Sequence, residues 1–161
     1  MKLQFHAGKS EIRNACIMCE KHLRLLEIPE NVCQEVVLAI DESLTNILEH
    51  GYGTPDQGKR PGTRSAAGAI DLDIEYRDQQ IRIFIYDDAA PYNLQERSID
   101  DKRAYLESET VGGFGIRIIK QVMDKVELTR EGNRNLLSMW RRVVIPPRDG
   151  SVFFTSDTSE A

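Results

Sequence analysis

Hydrophobic residues recur at helical spacing in two consecutive segments near the start of the chain. In the first segment, apolar residues three or four positions apart predict an amphipathic helix that begins at an N-cap, Ser10, and ends near Glu27. The second segment begins at Pro29, which suits the first turn of a helix, and ends at Gly51, which favours a C-cap. Its apolar residues cover nearly the whole helix surface, so this second helix should be buried.

Alternation of apolar and polar residues predicts two β-hairpins farther along the chain. The first covers residues 69–88 and turns at the polar sequence RDQQ, and the second covers residues 126–145. A helix that ends near Met123 precedes the second hairpin, and a weaker alternation over Lys2–His6 indicates a first strand. This order of elements predicts an α+β two-layer sandwich, in which a mixed, mostly antiparallel sheet carries helices on one face.

The length of the chain, 161 residues, is about that of one compact domain. We predict a single domain over residues 1–145 and a loose polar tail over residues 146–161. Within the domain, residues 53–68 are rich in Gly, Pro, Arg and Ser, and this composition predicts a flexible loop.

Charge and hydropathy exclude some classes of function. The formal net charge is -5, and the Lys and Arg residues are scattered along the chain. Proteins that bind nucleic acid usually carry a basic face, so we expect no direct contact with DNA or RNA. The N-terminus lacks the apolar stretch of a signal peptide, and no segment approaches the roughly 20 apolar residues that span a bilayer. We therefore expect a cytoplasmic protein that makes no membrane contact.

Two cysteines and a histidine on the first helix allow two interpretations. Cys16, Cys19 and His22 recur at three-residue steps, as the ligands of a metal or redox site could. Both cysteines also belong to the apolar stripe of this helix, and cysteine is often buried. Because no fourth ligand is evident, core packing is the favoured interpretation.

Polar residues interrupt the apolar pattern at two places in the first half of the chain. Glu42 and Asn46 lie four residues apart on one face of the second helix, where buried polar groups would need partners. The alternative is that they line a solvent-exposed face together with Glu35 and Glu49. On the first hairpin, Asp87 continues the isoleucine face of its strand, where an ordinary turn aspartate has no need to lie.

A third interruption is the glycine cluster VGGFG before the last helix. A helix N-terminus presents unpaired N–H groups and a partial positive charge, and glycines let a phosphate approach them closely. Gly112, Gly113 and Gly115 could therefore bind phosphate. Considered alone, however, the cluster is better explained as a flexible turn followed by the start of a helix.

The three interruptions together contain the chemistry of an ATP site. The carboxylate of Asp87 can accept a hydrogen bond from the amino group of adenine, where guanine presents an oxygen. The amide oxygen of Asn46 suits Mg²⁺, and Glu42 beside such a metal could take a proton from an attacking hydroxyl or water. The glycines at the helix start would hold the phosphates.

Three segments, DESLTNILEHGYG, DDAAPYN and VGGFGIRII, resemble in their order the three motifs of one ATP-binding module. DNA gyrase, the large heat-shock chaperones, MutL-type repair proteins and sensor histidine kinases share this module. In its details the chain is most similar to the small bacterial anti-sigma factor serine kinases, whose helix carries a Glu, an Asn four residues later and then His-Gly-Tyr. Here these are Glu42, Asn46 and the triplet beginning at His50, and the resemblance covers about residues 1–145.

The resemblance implies the histidine-kinase-like ATPase fold, with ATP and Mg²⁺ as cofactors. It implies Glu42 as the general base, Asn46 as the Mg²⁺ ligand and Asp87 as the residue that binds adenine. Residues 93–111 would form a lid over the nucleotide, from which Lys102, Arg103 or Thr110 would contact the terminal phosphate. The full set implied to bind ATP is Asn46, Asp87, Ala89, Gly112, Gly113, Phe114, Gly115 and Ile116.

The resemblance also implies an activity and its partners. Members of the family bind and block a sigma factor, many phosphorylate a serine on an anti-anti-sigma protein, and they often form homodimers. We therefore expect an ATP-dependent protein serine/threonine kinase that is also an anti-sigma factor in a partner-switching system of transcription regulation. The alternative is a nucleotide-binding interaction module without kinase activity. Ala89 favours this alternative, because the family usually has glycine there and alanine resists positive φ.

Overall fold

A computed structural model of the chain describes residues 1–52, 68–91 and 114–145. The predicted lid (residues 93–111), the tail (146–161) and the predicted loop (53–68), apart from its last residue, lie outside the described residues. Within those ranges, five strands form one sheet in the order β1-β2-β3-β5-β4, and every described pair is antiparallel. The strands are β1 (Lys2–His6), β2 (Ala69–Arg77), β3 (Gln80–Asp87), β4 (Lys125–Glu131) and β5 (Arg134–Arg142).

The helices all lie against one face of this sheet. They are α1 (Lys9–Leu25), α2 (Glu30–Asn46) and α3 (Phe114–Val122), and a π-helical segment, Ile47–Tyr52, continues α2. The predicted two-layer α+β sandwich with helices on one face is thus confirmed. No helix in the three described ranges is long and apolar enough to cross a membrane.

The hairpin predicted at RDQQ is confirmed. Arg77 pairs with Gln80, and the two residues between them, Asp78 and Gln79, have φ values of 54° and 59°. Positive φ at both central residues gives a two-residue turn whose twist matches that of the flanking strands. The turn therefore sets the register of β2 against β3, which places Asp87 at the end of β3 opposite Ile70.

Helix α1 begins two residues earlier than the sequence predicts. The prediction of Ser10 as the N-cap is wrong, because the carbonyl of Gly8 already accepts a hydrogen bond from Ile12 N at 2.9 Å. Gly8, in an extended conformation, is the N-cap. The Ser10 hydroxyl instead donates to the carboxylate of Glu11 at 2.7 Å.

The prediction of Gly51 as a C-cap is also wrong. Gly51 is buried inside the π-helical segment, and a methyl group on it would lie 2.7 Å from Cβ of Ala89. Insertions of this kind into a helix often occur at functional sites. The glycine is needed for close approach of the helix to the end of β3, and not for ending the helix.

The core lies between the sheet and the helices. Isoleucines from β2 and β3 and residues from β5 are fully buried against the apolar sides of α1 and α2. The cysteines of α1 belong to this core: Cys16 is 9% exposed and Cys19 0%. Burial raises the pKa of each thiol to about 12. Core packing of the two cysteines is therefore confirmed.

Arg141 on β5 joins three elements at the end of the sheet away from Asp87. Its guanidinium donates to Val122 O, at the end of α3, at 2.6 Å, and to Glu35 Oε2, on α2, at 3.0 Å. Hydrogen bonds to a charged donor are worth about twice as much as neutral ones. Arg141 therefore holds α2 and α3 side by side on the sheet.

Replacing Arg141 by alanine should lower the free energy of unfolding by about 2 kcal/mol, because both hydrogen bonds are lost. The neighbouring Arg142, whose side chain is exposed, is the matched control, and its replacement by alanine should cost less than about 0.5 kcal/mol. Urea unfolding of the two variants measures both values. Equal losses would show that Arg141 does not join the helices.

Candidate functional site

Glu42 and Asn46 lie on the side of α2 that faces the first turn of α3. A methyl group added to Gly115 would lie 2.5 Å from Glu42 Oε2 and 3.1 Å from Asn46 Nδ2. A Cβ atom essentially never comes so close to an oxygen, so only glycine fits at this position without a shift. Both side chains are half-buried. Glu49, which the alternative interpretation placed on the same solvent-exposed face, is exposed.

The amide of Asn46 is under-satisfied. Its Nδ2 atom is buried and has no hydrogen-bond partner in the part of the chain that the structure describes. Such groups are rare in folded proteins, and each one calls for a reason such as an ion or ligand. Because the two ends of an asparagine amide exchange by rotation, the oxygen can take this position without breaking a bond made by Nδ2. A Mg²⁺ ion, which prefers oxygen ligands, would fit here beside the Glu42 carboxylate.

Burial raises the pKa of Glu42 above its ordinary value, and the negative charges of Asp41 and Glu49 raise it further. A carboxylate whose proton affinity is raised is a better proton acceptor when it is ionised. The same environment makes its charge unfavourable in the folded state. The ionised Glu42 carboxylate therefore lowers the stability of the folded protein.

Asp87 ends β3 and is completely buried, with 0% exposure. Its Oδ1 atom accepts hydrogen bonds from Ala89 N at 2.9 Å and from Asn135 Nδ2 at 2.8 Å. A buried carboxylate without such donors would be strongly destabilising. The carboxylate thus keeps a defined orientation at the end of the isoleucine face.

Asn135 was missed by reasoning from the sequence, although a signal exists. It lies on β5 directly opposite Asp87 and is 2% exposed. By strand parity it shares a face with Leu137 and Met139, as Asp87 does with its isoleucines. A polar residue on the apolar face of each of two strands predicts that the strands pair there.

Ala89 has room despite the methyl group that it carries where glycine is usual. Its φ angle is not positive, since the described residues with positive φ are Glu27, Asp78, Gln79 and Gly132. Its side chain is 1% exposed and lies against Gly51. The strain expected from alanine at this position is therefore absent.

Tyr52 links the end of the π-helical segment to the residue after Asp87. Its hydroxyl donates to Asp88 Oδ1 at 2.6 Å and accepts from Asp88 N at 3.2 Å. Burial and the Asp88 carboxylate raise the pKa of this hydroxyl, so it remains a donor. The contact of Gly51 with Ala89 and this pair of hydrogen bonds together join α2 to the end of β3.

The structure thus brings most of the predicted residues into two clusters. Glu42, Asn46 and Gly115 form one at the start of α3, whose first turn also contains Ile116. Asp87 and Ala89 form the other, at the end of β3. Phe114 is the first residue of α3. Gly112 and Gly113 lie outside the described residues, as do the lid residues Lys102, Arg103 and Thr110.

A protein-family model, that of the histidine kinase-like ATPase domain, matches residues 5–141, which is most of the chain. The chain belongs to this family. None of the curated proteins compared with the chain matches it.

Two solved structures share the fold of this ATPase domain. One is the crystal structure of the RsbU and RsbW domains of Rv1364c from Mycobacterium tuberculosis, with a TM-score of 0.57, 14% identity and 88% of this chain covered. This chain spans only 31% of that protein. The other is the SiaB–SiaC complex from Pseudomonas aeruginosa, with a TM-score of 0.51 and 16% identity, covering 87% of this chain and 88% of that one. At these identities the likeness establishes the ATPase fold alone.

Alanine in place of glycine usually stabilises a helix by up to about 1 kcal/mol. At position 115 we expect this gain to be lost, because the added methyl group displaces the Glu42 carboxylate. The same replacement should be stabilising, or nearly so, in a Glu42→Ala background. Urea unfolding of the two single variants and the double variant should give a coupling of at least about 0.5 kcal/mol. Equal effects in both backgrounds would contradict the contact.

Replacing Glu42 by glutamine should stabilise the nucleotide-free protein at neutral pH but not in acid. The pKa of Glu42 is raised in the folded state, so the folded protein binds this proton more tightly than the unfolded chain does. The bound proton therefore stabilises the folded wild type at low pH. This contribution to the free energy of unfolding should be lost as the pH rises from the ordinary pKa of 4.5 through the raised pKa, and the variant should show no such loss. Thermal unfolding in Mg²⁺-free buffer from pH 4 to 8 tests this, and a difference that does not vary with pH would contradict it.

Proposed function

We propose that this chain is an ATP-binding anti-sigma regulatory factor with serine-protein kinase activity. Its substrate would be a serine on an anti-anti-sigma protein, and its other partner a sigma factor. The observation that carries this proposal is the placement of Glu42 and Asn46 against Gly115 at the start of α3. This puts a proton acceptor and a candidate metal ligand where a helix N-terminus attracts phosphate.

The phosphate end of the site would work as follows. The Asn46 amide oxygen would hold Mg²⁺, and this ion would offset the negative charge of the phosphates. The backbone N–H groups at the start of α3 would bind phosphate oxygens, and the missing side chain at Gly115 leaves room for Glu42 and Asn46 beside them. Positioning and electrostatic stabilisation of this kind account for most of the catalysis of phosphoryl transfer.

The transfer itself would use Glu42. The serine hydroxyl of the partner attacks the γ-phosphorus of ATP, a new bond forms from its oxygen to phosphorus, and the bond from phosphorus to the β–γ bridging oxygen breaks. The hydroxyl proton passes to the Glu42 carboxylate, and ADP leaves with the bridging oxygen. The raised pKa of Glu42 favours its acceptance of this proton.

The base end of the site would select adenine. The Asp87 carboxylate accepts hydrogen bonds and would accept one from the adenine amino group, whereas the oxygen of guanine would face it unfavourably. Donors from Ala89 and Asn135 hold the carboxylate in one orientation. A site that leaves a buried acceptor unpaired with the wrong base discriminates strongly.

The fold that this chain shares with the two solved structures supports this proposal. One contains a domain named RsbW, and the other is SiaB in complex with SiaC. Both are similar to this chain in fold, so a domain of this shape exists alone or beside other domains in such proteins.

Replacing Glu42 by alanine should leave Mg-ATP binding within about threefold of wild type but lower phosphoryl transfer by at least about 100-fold, the usual contribution of a general base. Asn46→Ala should instead weaken ATP binding in Mg²⁺ and have little effect on binding in EDTA. Calorimetric titration measures binding. Labelled phosphate from [γ-³²P]ATP, with an anti-anti-sigma protein of the same organism as acceptor, measures transfer.

Each outcome separates the proposed kinase from the interaction module. Mg-dependent ATP binding with transfer that depends on Glu42 supports the kinase. ATP binding without transfer to any anti-anti-sigma protein of the organism would contradict the kinase and favour a nucleotide-binding interaction module. Undiminished transfer by Glu42→Ala would remove Glu42 from the mechanism.

A further inference from the structure

Three polar residues form a row across the sheet at the base end of the site. Asp87 on β3 lies opposite Asn135 on β5, and Asn135 lies opposite Arg130 on β4. Residues directly opposite one another on neighbouring strands carry their side chains on the same face. The row therefore runs from the exposed Arg130 at the sheet edge to the completely buried Asp87.

Hydrogen bonds connect the row without a break. Arg130 donates from Nη1 to Asn135 Oδ1 at 2.7 Å, and Asn135 donates from Nδ2 to Asp87 Oδ1 at 2.8 Å. Asn135 Nδ2 also lies 3.3 Å from Ala89 O and 3.4 Å from Ala90 O. A second guanidinium bond, from Arg130 Nη2 to Asn133 O at 3.2 Å, holds Arg130 over the β4–β5 turn.

The chemistry of the row allows only one orientation of the amide. A guanidinium has donors and no acceptor, so it must face the oxygen of Asn135. An ionised carboxylate has acceptors and no donor, so it must face the nitrogen. Arg130 therefore fixes the direction of the Asn135 amide, and the amide in turn presents an N–H group to Asp87.

We propose that Asn135, oriented by Arg130, is a positioning residue that sets the selectivity of Asp87 for adenine over guanine. This inference rests on the proposed function, because it concerns the same nucleotide site. The Asn135 N–H and the Ala89 N–H both bind Oδ1 of Asp87, so the plane of the carboxylate is held by two donors from different elements. A carboxylate held in this way meets the base in one orientation, and its acceptor geometry distinguishes an amino group from an oxygen.

Removing the Asn135 side chain takes away the 2.8 Å hydrogen bond from the neighbouring strand to Asp87 Oδ1. The carboxylate should then be held less firmly in the orientation that faces the base. ATP should lose affinity, and GTP, which does not use this acceptor, should lose little. Loss of selectivity, and not merely of affinity, is therefore the signature of a positioning role.

The test compares nucleotide binding by variants of similar size. Asn135→Asp keeps the shape of the side chain but has no N–H donor, and it places a second carboxylate next to Asp87. Asn135→Thr keeps a donor in its hydroxyl group. Asn133→Ala, on the exposed β4–β5 turn two residues away, is the matched control. Calorimetric titration with Mg-ATP and Mg-GTP gives the ratio of the two dissociation constants for each variant.

We expect Asn135→Ala and Asn135→Asp to lower the preference for ATP over GTP by about tenfold, the scale of one lost hydrogen bond to a charged group. Asn135→Thr should restore part of the preference, and Asn133→Ala should keep it. Arg130→Met should lower the preference when Asn135 is present and should have no further effect in Asn135→Ala, because Arg130 acts through the amide.

Other outcomes overturn the inference. An equal loss of ATP and GTP affinity in Asn135→Ala, or an unchanged ratio, would show a purely structural role. Additive effects of Arg130→Met and Asn135→Ala would show that Arg130 does not act through Asn135. If the wild type binds neither nucleotide, the proposed function fails and this inference fails with it, whereas wild-type ATP binding with an unaltered ratio in the variants refutes the inference alone.

If Asn135→Ala does not fold, the isosteric Asn135→Asp and the surface substitution Arg130→Met still decide the matter. Circular dichroism and thermal unfolding identify the folded variants before titration. Arg130 is exposed at the sheet edge, so its replacement by methionine removes the bond to Asn135 without opening the core. An unchanged nucleotide preference in folded Arg130→Met would overturn the role of the row.

Discussion

The C-terminal end of helix α2 lies against the first turn of α3, where Gly115 has no side chain to displace the Glu42 carboxylate. At this same C-terminal end the helix continues as a π-helical segment, in which Gly51 lies against the methyl group of Ala89. Folded interiors are packed too densely to absorb an extra methyl group without a shift. Gly51 therefore permits the close approach of the helix to the end of β3, and Gly115 leaves the Glu42 carboxylate and the Asn46 amide in place. Both clusters of the candidate site are built at these two contacts.

The two clusters satisfy their polar groups differently. At the end of β3, the buried carboxylate of Asp87 and the hydroxyl of Tyr52 are hydrogen-bonded to neighbours on other elements. At the start of α3, Asn46 Nδ2 has no hydrogen-bond partner among the described residues, and burial raises the pKa of Glu42. Buried groups of the first kind make a rigid surface of defined shape. Groups of the second kind lower stability, and a bound ion and phosphate would relieve them.

This contrast agrees with the two tasks that a nucleotide site performs. Recognition of a base needs acceptors held still, and the row from Arg130 through Asn135 to Asp87 holds one from the edge of the sheet inward. Chemistry at phosphates needs groups whose charge changes, and burial together with the charges of Asp41 and Glu49 raises the pKa of Glu42. The π-helical segment joins the two, since it links Asn46 to Tyr52 with no intervening loop.

The sequence by itself determined the two-layer fold, because side chains repeat every two residues in a strand and every 3.6 in a helix. It also determined the hairpin turn at Asp78 and Gln79 and the candidate roles of Glu42, Asn46 and Asp87, whose polar side chains break an apolar pattern. Only the tertiary structure decided why Gly51 and Gly115 are glycines, because a clash is a property of two elements brought together. It also decided the partners of Asp87 and the start of α1 at Gly8. Pairing between residues 48 positions apart, and the competition between Gly8 and Ser10 for the helix start, depend on distances that a pattern along one segment does not contain.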